Sequence, residues 1–463
     1  MTKDGKQRME VSDVLLRFTG WLKAYGEKSL DYQSFFAGPL GGRAKALYYR
    51  HKLVGTAAVA PMIFCEAFLP AARRLFHHRI RFPIADAHYA MGFAFLYEAT
   101  GNAVYLENTI HFLDELAISR CRDFKEYCWG YPFDWVTRNG VIKRQTPLIT
   151  TTPYPYEAFL QVAKLLEKEI RSQRSEVRNR RAAAFAKASA SQGGPRTEDG
   201  ADLGAEYRYI IESIARHAAY DIKDFRTSET ASSCSYTPFD EGGVINAAAY
   251  RGFLLTSASQ LFSNDDYWNI AERNLNFVLE SQNADGSWFY AVDGVRDFVD
   301  HYHTCFVMKA LAKIHAITGH AGALQALDKG IRYYLNNLFD GDGLPKPFSR
   351  APRLTVYKRE LYDFAECINL CLLLRDRFPV LERTLKNVIA HVLDTWLKPD
   401  GSFRSRKLYL GWDNVPMHRW GQSQMFRALA FYLREESKLQ ASQRQDSEGA
   451  ESSPVTCHSP LVT

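Results

Sequence analysis

The sequence predicts an all-α protein, an (α/α)6 toroid in which six helical hairpins close into a ring. Three observations predict it. First, an amphipathic helix, an Asp-Gly turn and a more apolar helix recur, with turn aspartates Asp285, Asp342 and Asp400 at steps of 57 and 58 residues. Second, the apolar helices begin near Asp86, Tyr154, Asn246, His303, Phe364 and Trp420, at steps of 68, 92, 57, 61 and 56. Third, these helices are apolar almost all round, as in "FAECINLCLLL", which suits an element covered on both sides. An open solenoid has the same period. The count of six and the lack of polar capping repeats favour closure.

Taken in order, residues 1–50 read as a lead-in with one helix, Met9 to Leu30, packing on the ring. Residues 51–436 form the toroid. Its first inner helix is "ADAHYAMGFAFLYEATGN" and its second "YPYEAFLQVAKLLEKE". The long step of 92 contains residues 171–206, rich in Arg, Ala, Ser and Gly; removing those 36 residues restores 56. That stretch reads as a polar, flexible insertion. "NAAAYRGFLLTSASQLF" is the third inner helix. "DDYWNIAERNLNFVLESQ" is an amphipathic outer helix that stops at "NADG", because Asn and Gly adopt turn conformations cheaply. "HTCFVMKALAKIHAITG" follows, with Gly319 as its C-cap. Two more hairpins end in "DFAECINLCLLLRDRF" and "RWGQSQMFRALAFYLREE". Residues 437–463 are polar and read as a disordered tail.

Composition narrows the function. The net charge of +6 is small beside 58 basic and 52 acidic residues, so no nucleic-acid surface is expected. No run approaches the ~20 apolar residues of a membrane span. The most apolar piece, Val54 to Phe68, is shorter and carries Glu66. The start has no apolar core of signal-peptide length. The eight cysteines form no CxxC pair, which reads as buried thiols in a reducing compartment. A cytoplasmic protein that is not an integral membrane protein is expected.

"LNFVLESQNADGSWFYA" resembles the Q-x-x-D-G-S-W turn of α/α-toroid repeats, found in terpenoid cyclases, prenyltransferase subunits and carbohydrate-active toroids. The acidic D-x-D-D and D-D-x-x-D motifs of terpenoid cyclases are absent. "CWGYPFDW", "TPYPYEAF", "DFVDHYHTCFVMKAL", "DFAECINLCLLL" and "GWDNVPMHRWGQSQMFRALA" resemble a poorly characterised bacterial family found among exopolysaccharide and capsule biosynthesis proteins. Some of its members carry a δ-aminolevulinate dehydratase label. Nothing here supports that chemistry, since the chain lacks β/α-barrel alternation. The resemblance spans Asp86 to Leu433 and brings no catalytic assignment. Glucuronyl epimerase and polysaccharide lyase toroids are more distantly similar. What the resemblance implies is a carbohydrate-active protein of exopolysaccharide biosynthesis, with other polysaccharide-synthesis proteins as its partners.

In a toroid, the loops from outer to inner helices gather at one mouth. Here those loops hold nearly all the unusual residues, while "EATGNAVY" and "AITGHAG" on the other side are ordinary. Trp129, Tyr131, Trp135, Tyr154, Tyr156, Tyr290 and Trp420 are candidate sugar-stacking rings, along with Trp288, Trp412, Tyr236, Tyr302 and Tyr362. Arg138, Arg296 and Arg419 could hold a uronate or phosphate. For any single ring, core filling is the plainer reading.

Asp134, flanked by Phe133 and Trp135, is a candidate general acid with a raised pKa, or else a loop brace. Asp240 and Glu241 are candidate carboxylates, or helix caps. Asp300, His301 and His303 form the densest group. Asp300 can cap the helix beginning near Tyr302, which points His303 into the ring as base or acid. Asp363 with Glu366 is a candidate ligand contact or a capping box. Asp86 and His88 start the first inner helix, and Arg419, Trp420 and Gln422 the last; either set contacts ligand or locks the seam. No metal and no cofactor is assigned; His301 and His303 with Asp297 or Asp300 are the one combination that could ligate an ion. A glycoside hydrolase would draw on two of the carboxylates. A uronate lyase or epimerase would use His303, Tyr290 or Tyr302 with Arg419 or Arg296. A non-catalytic glycan holder or scaffold is the third reading.

Overall fold

The computed structural model describes residues 10–185, 199–352 and 355–451. Fifteen α-helices follow one another among them. They are α1 (Val11–Tyr25), α2 (Ser34–Ala37), α3 (Pro39–Arg50), α4 (Lys52–Phe68), α5 (Pro83–Thr100), α6 (Ala103–Ile118), α7 (Pro153–Phe185) and α8 (Asp199–Arg216). The rest are α9 (Ile245–Phe262), α10 (Asp265–Glu280), α11 (His301–Thr318), α12 (Ala321–Asn337), α13 (Leu361–Leu374), α14 (Val380–His391) and α15 (Ser423–Glu451). Helices α5, α7, α9, α11, α13 and α15 pack side by side, and α15 returns to α5, so the ring is closed. The chain is an α/α toroid. Its inner helices start within three residues of the positions expected from sequence. Gly319 caps α11 with φ of +70°.

Burial follows position in the ring. Every residue of α9 from Ile245 to Ala258 is buried, because inner helices are covered by both neighbours and the outer layer. Outer helix α10 buries one stripe, including Tyr267, Ala271, Leu275 and Val278. Such one-sided burial is what a surface helix with apolar residues three and four apart achieves.

The Asp-Gly turns show how the outer layer is built. Asp285 Oδ1 accepts from Ser287 N at 2.9 Å and Ser287 Oγ at 2.7 Å. Asp400 repeats this with Ser402, at 3.0 and 2.7 Å. In the turn between them the brace is Asp340, which accepts from Asp342 N and Leu344 N, rather than the expected Asp342. Gly286 (φ +94°) sits against the Lys329 carbonyl of α12, and Gly401 (φ +92°) against the Arg17 carbonyl of α1. Helix α1 therefore stands where the next outer helix of the ring would stand. Its Phe18 stacks on Phe426 of α15 at 5.1 Å.

The chain expected to be purely helical also forms short strands, all in the mouth loops. They are β1 (Trp135–Thr137), β2 (Gly140–Ile142), β3 (Asp224–Arg226), β4 (Ser232–Cys234), β5 (Val299–Asp300), β6 (Phe348–Arg350), β7 (Tyr357–Glu360), β8 (Arg406–Leu408) and β9 (Trp412–Asp413). Pairs β1–β2 and β3–β4 are local hairpins. Pairs β5–β6 and β7–β8–β9 join loops of successive hairpins, with Glu360 opposite Arg406 and Arg406 opposite Asp413. Backbone groups that helices leave unpaired at the mouth are satisfied by this lacing, which holds the rim in place.

The polar insertion expected at 171–206 is helical where described, extending α7 and α8; residues 186–198 lie outside the described residues. Helix α15 runs to Glu451, into the stretch read as a tail, and residues 452–463 lie outside as well. No helix among the described residues is long and apolar enough to cross a membrane.

Candidate functional site

A narrow pocket opens among the starts of the inner helices, on the side of the mouth loops. The second residue of five inner helices lines it: Ile84, Tyr154, Asn246, Tyr302 and Tyr362. Trp420, in the π-turn His418–Gln422 that leads into α15, completes the circle. Helix-start side chains converge because six helices of one hand are arranged around one axis. Tyr250 and Phe306 lie one turn further in, and Tyr131, Thr150, Thr151, Tyr236, His303 and Arg419 fill the rest of the wall.

His303 is the one imidazole on this wall among the described residues, and Asp300 stands behind it. Asp300 is the N-cap of α11 and is buried. Its Oδ1 accepts from His303 N at 3.1 Å, and its Oδ2 meets His303 Nδ1 at 2.7 Å. An ionised carboxylate can only accept, so Nδ1 carries the proton. Nε2 is then the basic nitrogen, and it has no protein partner among the described residues. Tyr290 at 4.7 Å and Tyr302 at 4.4 Å between ring centroids fix the imidazole plane.

Arg419 is buried and bidentate to Asp31, at 2.9 and 2.8 Å. Asp31 precedes α2 and carried no signal in the sequence. Burial works against the Arg419 charge, but Asp31 outweighs it and holds the guanidinium protonated. Tyr131 and Trp420 flank it at 4.3 and 4.6 Å. Its Nη1 is buried and makes no well-aligned hydrogen bond, and the Tyr131 hydroxyl is within reach of the guanidinium.

The phenols are kept neutral. Burial raises the pKa of Tyr154, Tyr250, Tyr302 and Tyr362 well above the ordinary value. The Tyr154 and Tyr250 hydroxyls meet at 2.5 Å. Beneath them lies a buried ionic layer: Lys309 pairs with Glu366, Lys313 with Glu157, and Arg427 Nη1 meets His88 Nδ1 at 3.3 Å.

Of the residues singled out in the sequence, Tyr131, Tyr154, Tyr236, Tyr302, Tyr362, His303, Arg419 and Trp420 line the pocket, with Asp300 directly behind His303. Tyr290 stands beside His303, and Trp135 packs on Tyr131 at 5.4 Å. The others stand elsewhere. Asp134 is half exposed in the β1–β2 hairpin; the Arg144 N–H, then Lys143, hold its carboxyl below the usual range, opposite to the expected raised pKa. Its ring neighbours do not enclose it. Asp240 braces its own loop by accepting from Tyr236 N and Thr237 N, both at 2.7 Å, and Glu241 is exposed. Asp86 pairs with Arg81 at 2.8 Å. His88 is buried below the pocket against Tyr154, where burial and then Arg427 push its pKa down.

Trp129 donates to the Leu116 carbonyl and Tyr156 to Ser257, so both are core residues. Gln422 bonds both backbone groups of Phe403, at 3.0 and 2.7 Å, and serves the seam. Asp363 and Glu366 make no capping box, because α13 begins at Leu361. Asp363 is buried in the first turn with neither oxygen bonded; burial, then Glu360, raises its pKa well above the ordinary value. His301 is a core histidine whose Nε2 meets the Tyr334 hydroxyl at 2.8 Å. No metal-binding cluster occurs among the described residues. Sequence reasoning passed over Asn246, Tyr250, Phe306 and Asp31. Aligning the inner helices at their second residue is the signal that finds Asn246.

No protein-family model matches the chain, and no curated protein does. Solved structures do. A possible GH105-family member from Salmonella enterica superposes with a TM-score of 0.54 at 13% identity, over 94% of this chain and 97% of that one. A cellobiose 2-epimerase from Bacillus thermoamylovorans gives 0.52 at 8% identity, over 78% and 90%. A D-mannose isomerase gives 0.50 at 12%, over 77% and 87%. At these identities the likeness establishes the shared toroid fold.

Proposed function

We propose that the chain binds a saccharide in the pocket and moves a proton on it, as an epimerase, isomerase or lyase does. The observation that carries this is His303 on Asp300 in a pocket whose wall contains no Asp or Glu among the lining residues. Hydrolysis by two carboxylates needs a pair flanking one bond, and the wall lacks that pair. His303 Nε2 takes the proton from a carbon next to a carbonyl or carboxylate. The charge that develops on that oxygen meets the Arg419 guanidinium and the neutral tyrosine hydroxyls, which are donors fixed in advance. The surrounding rings suit the C–H faces of a sugar. The folds it resembles include a cellobiose 2-epimerase and a D-mannose isomerase, which supports a sugar as ligand. Within this reading the saccharide belongs to exopolysaccharide production inside the cell, alongside other polysaccharide-synthesis proteins.

The test incubates the protein with reducing and uronate-containing saccharides in D2O. Deuterium at the carbon next to the carbonyl or carboxylate, or an unsaturated uronate, is expected, and His303→Gln abolishes it. New reducing ends without deuterium, unchanged in His303→Gln, would overturn the reading.

A further inference from the structure

The excursion between α1 and α5 exposes a run of large apolar side chains. Helix α4 is apolar along most of its length, yet only Gly55, Met62 and Glu66 are buried. Those three lie on one stripe. The opposite stripe, Leu53, Ala57, Ala60, Phe64 and Phe68, runs for about 22 Å along the helix and is open to solvent. Leu53 is 90% exposed, Phe64 56% and Phe68 52%, and Leu69 and Leu75 extend the patch at 54% and 79%. Scattered apolar residues need no explanation, but a contiguous patch does.

The exposed charges of residues 39–75 are of one sign. Arg43, Arg50, Lys52 and Arg74 are exposed and have no carboxylate partner among the described residues. From 39 to 75 the one acidic residue is Glu66, turned inward onto Arg406 at 2.8 Å. The base is rigid. Arg406 also binds Glu360, and Arg73 pairs with Asp413 in full burial. That base is shared with the pocket wall, since Arg406 lies over Tyr32, Tyr32 packs on Trp420, and Asp31 holds Arg419.

We propose that α4 and its basic border form a docking surface for an anionic lipid bilayer. An apolar stripe bordered by cations, on a helix without exposed acids, is what lies in the headgroup region of a charged membrane. A second copy docking through the same patch would bring four unpaired cations against four, so a self-complementary dimer is disfavoured.

The experiment floats the full-length protein with phosphatidylcholine vesicles, with and without phosphatidylglycerol. Binding to the anionic vesicles is expected, falling as salt rises. Phe64→Asp with Phe68→Asp abolishes it without changing the melting temperature. Neutralising Arg43, Arg50, Lys52 or Arg74 weakens it about fivefold each. Phe64→Trp keeps the patch apolar and reports insertion as a blue shift of emission with anionic vesicles. No flotation at low salt, no blue shift, or a dimer that Phe64→Asp dissociates would each overturn the proposal.

Discussion

Replacing Asp300 by asparagine separates its two tasks. As the cap of α11 it accepts from His303 N at 3.1 Å, and asparagine caps as well as aspartate does. As the partner of His303 Nδ1 at 2.7 Å it must accept, and the asparagine nitrogen in that place donates instead. The imidazole proton then moves to Nε2, and the basic nitrogen faces the introduced amide rather than the pocket. A charge-assisted hydrogen bond becomes a neutral one, at a cost of about 1 kcal/mol in stability. The loss in turnover is far larger, about 10²- to 10⁴-fold, the usual contribution of a positioned base. Two assays read this. Nitrogen-15 spectra of the histidine rings report which His303 nitrogen carries the proton, and deuterium uptake into saccharide reports the rate. An Asp300→Asn protein with Nδ1 still protonated, or with a rate within about threefold of the parent, a barrier change under 1 kcal/mol, would refute the reasoning.

Three further outcomes follow from other parts of the ring. His418 is neutral at the seam, accepting from the Tyr89 hydroxyl at 2.6 Å and donating to the Gly26 carbonyl at 3.0 Å, and burial pushes its pKa down to about 3. The unfolded chain takes up that proton below about 6.5, so stability present above that pH is lost on acidification, by ~1.4 kcal/mol per pH unit. In urea unfolding at a series of pH values, His418→Gln should show a shallower slope below pH 6.5 by one proton. Lys309→Met strands the fully buried Glu366 and should cost about 3–5 kcal/mol, with most of it regained in Lys309→Met/Glu366→Leu by denaturant titration. Gly286→Ala and Gly401→Ala should each cost about 1–3 kcal/mol for strain at positive φ, plus the clash of a Cβ 2.5 Å from the Lys329 oxygen or 2.6 Å from the Arg17 oxygen. Melting temperatures should fall equally, and a silent Gly401→Ala would show that α1 is not held as a ring member.

The helical toroid was legible because its information is local. Period, turn residues and apolar helices are set by neighbours three, four and about 57 positions apart, and each inner helix began within three residues of its expected place. The capping role of Asp300 was legible for the same reason. Asp300 and His303 are one helical turn apart, so the carboxylate reaches the His303 N–H. The burial of Cys305, Cys367 and Cys371 followed from the apolar helices that carry them, whereas that of Cys121, Cys128 and Cys234 in loops and a strand did not, and Cys65 is only partly buried.

The carboxylates show where sequence stops. Asp134, Asp240 and Glu241 stand in loops beside rings and glycines, and nothing local says whether such a loop folds over them. The structure spends Asp134 and Asp240 on backbone N–H groups and leaves Glu241 in water. Asp31 shows the converse: it holds Arg419 from 388 positions away, and no period links the two. Sequence alone thus determined the class of fold and gathered Asp300, His301 and His303 in one candidate group; the pairing of His303 with Asp300, and the removal of His301 to the core, came from the structure. Only the tertiary structure decided which side chains share the pocket. That choice depends on how far each helix start projects toward a common axis and on which charges meet across the closed ring, and both are set by contacts between residues hundreds of positions apart.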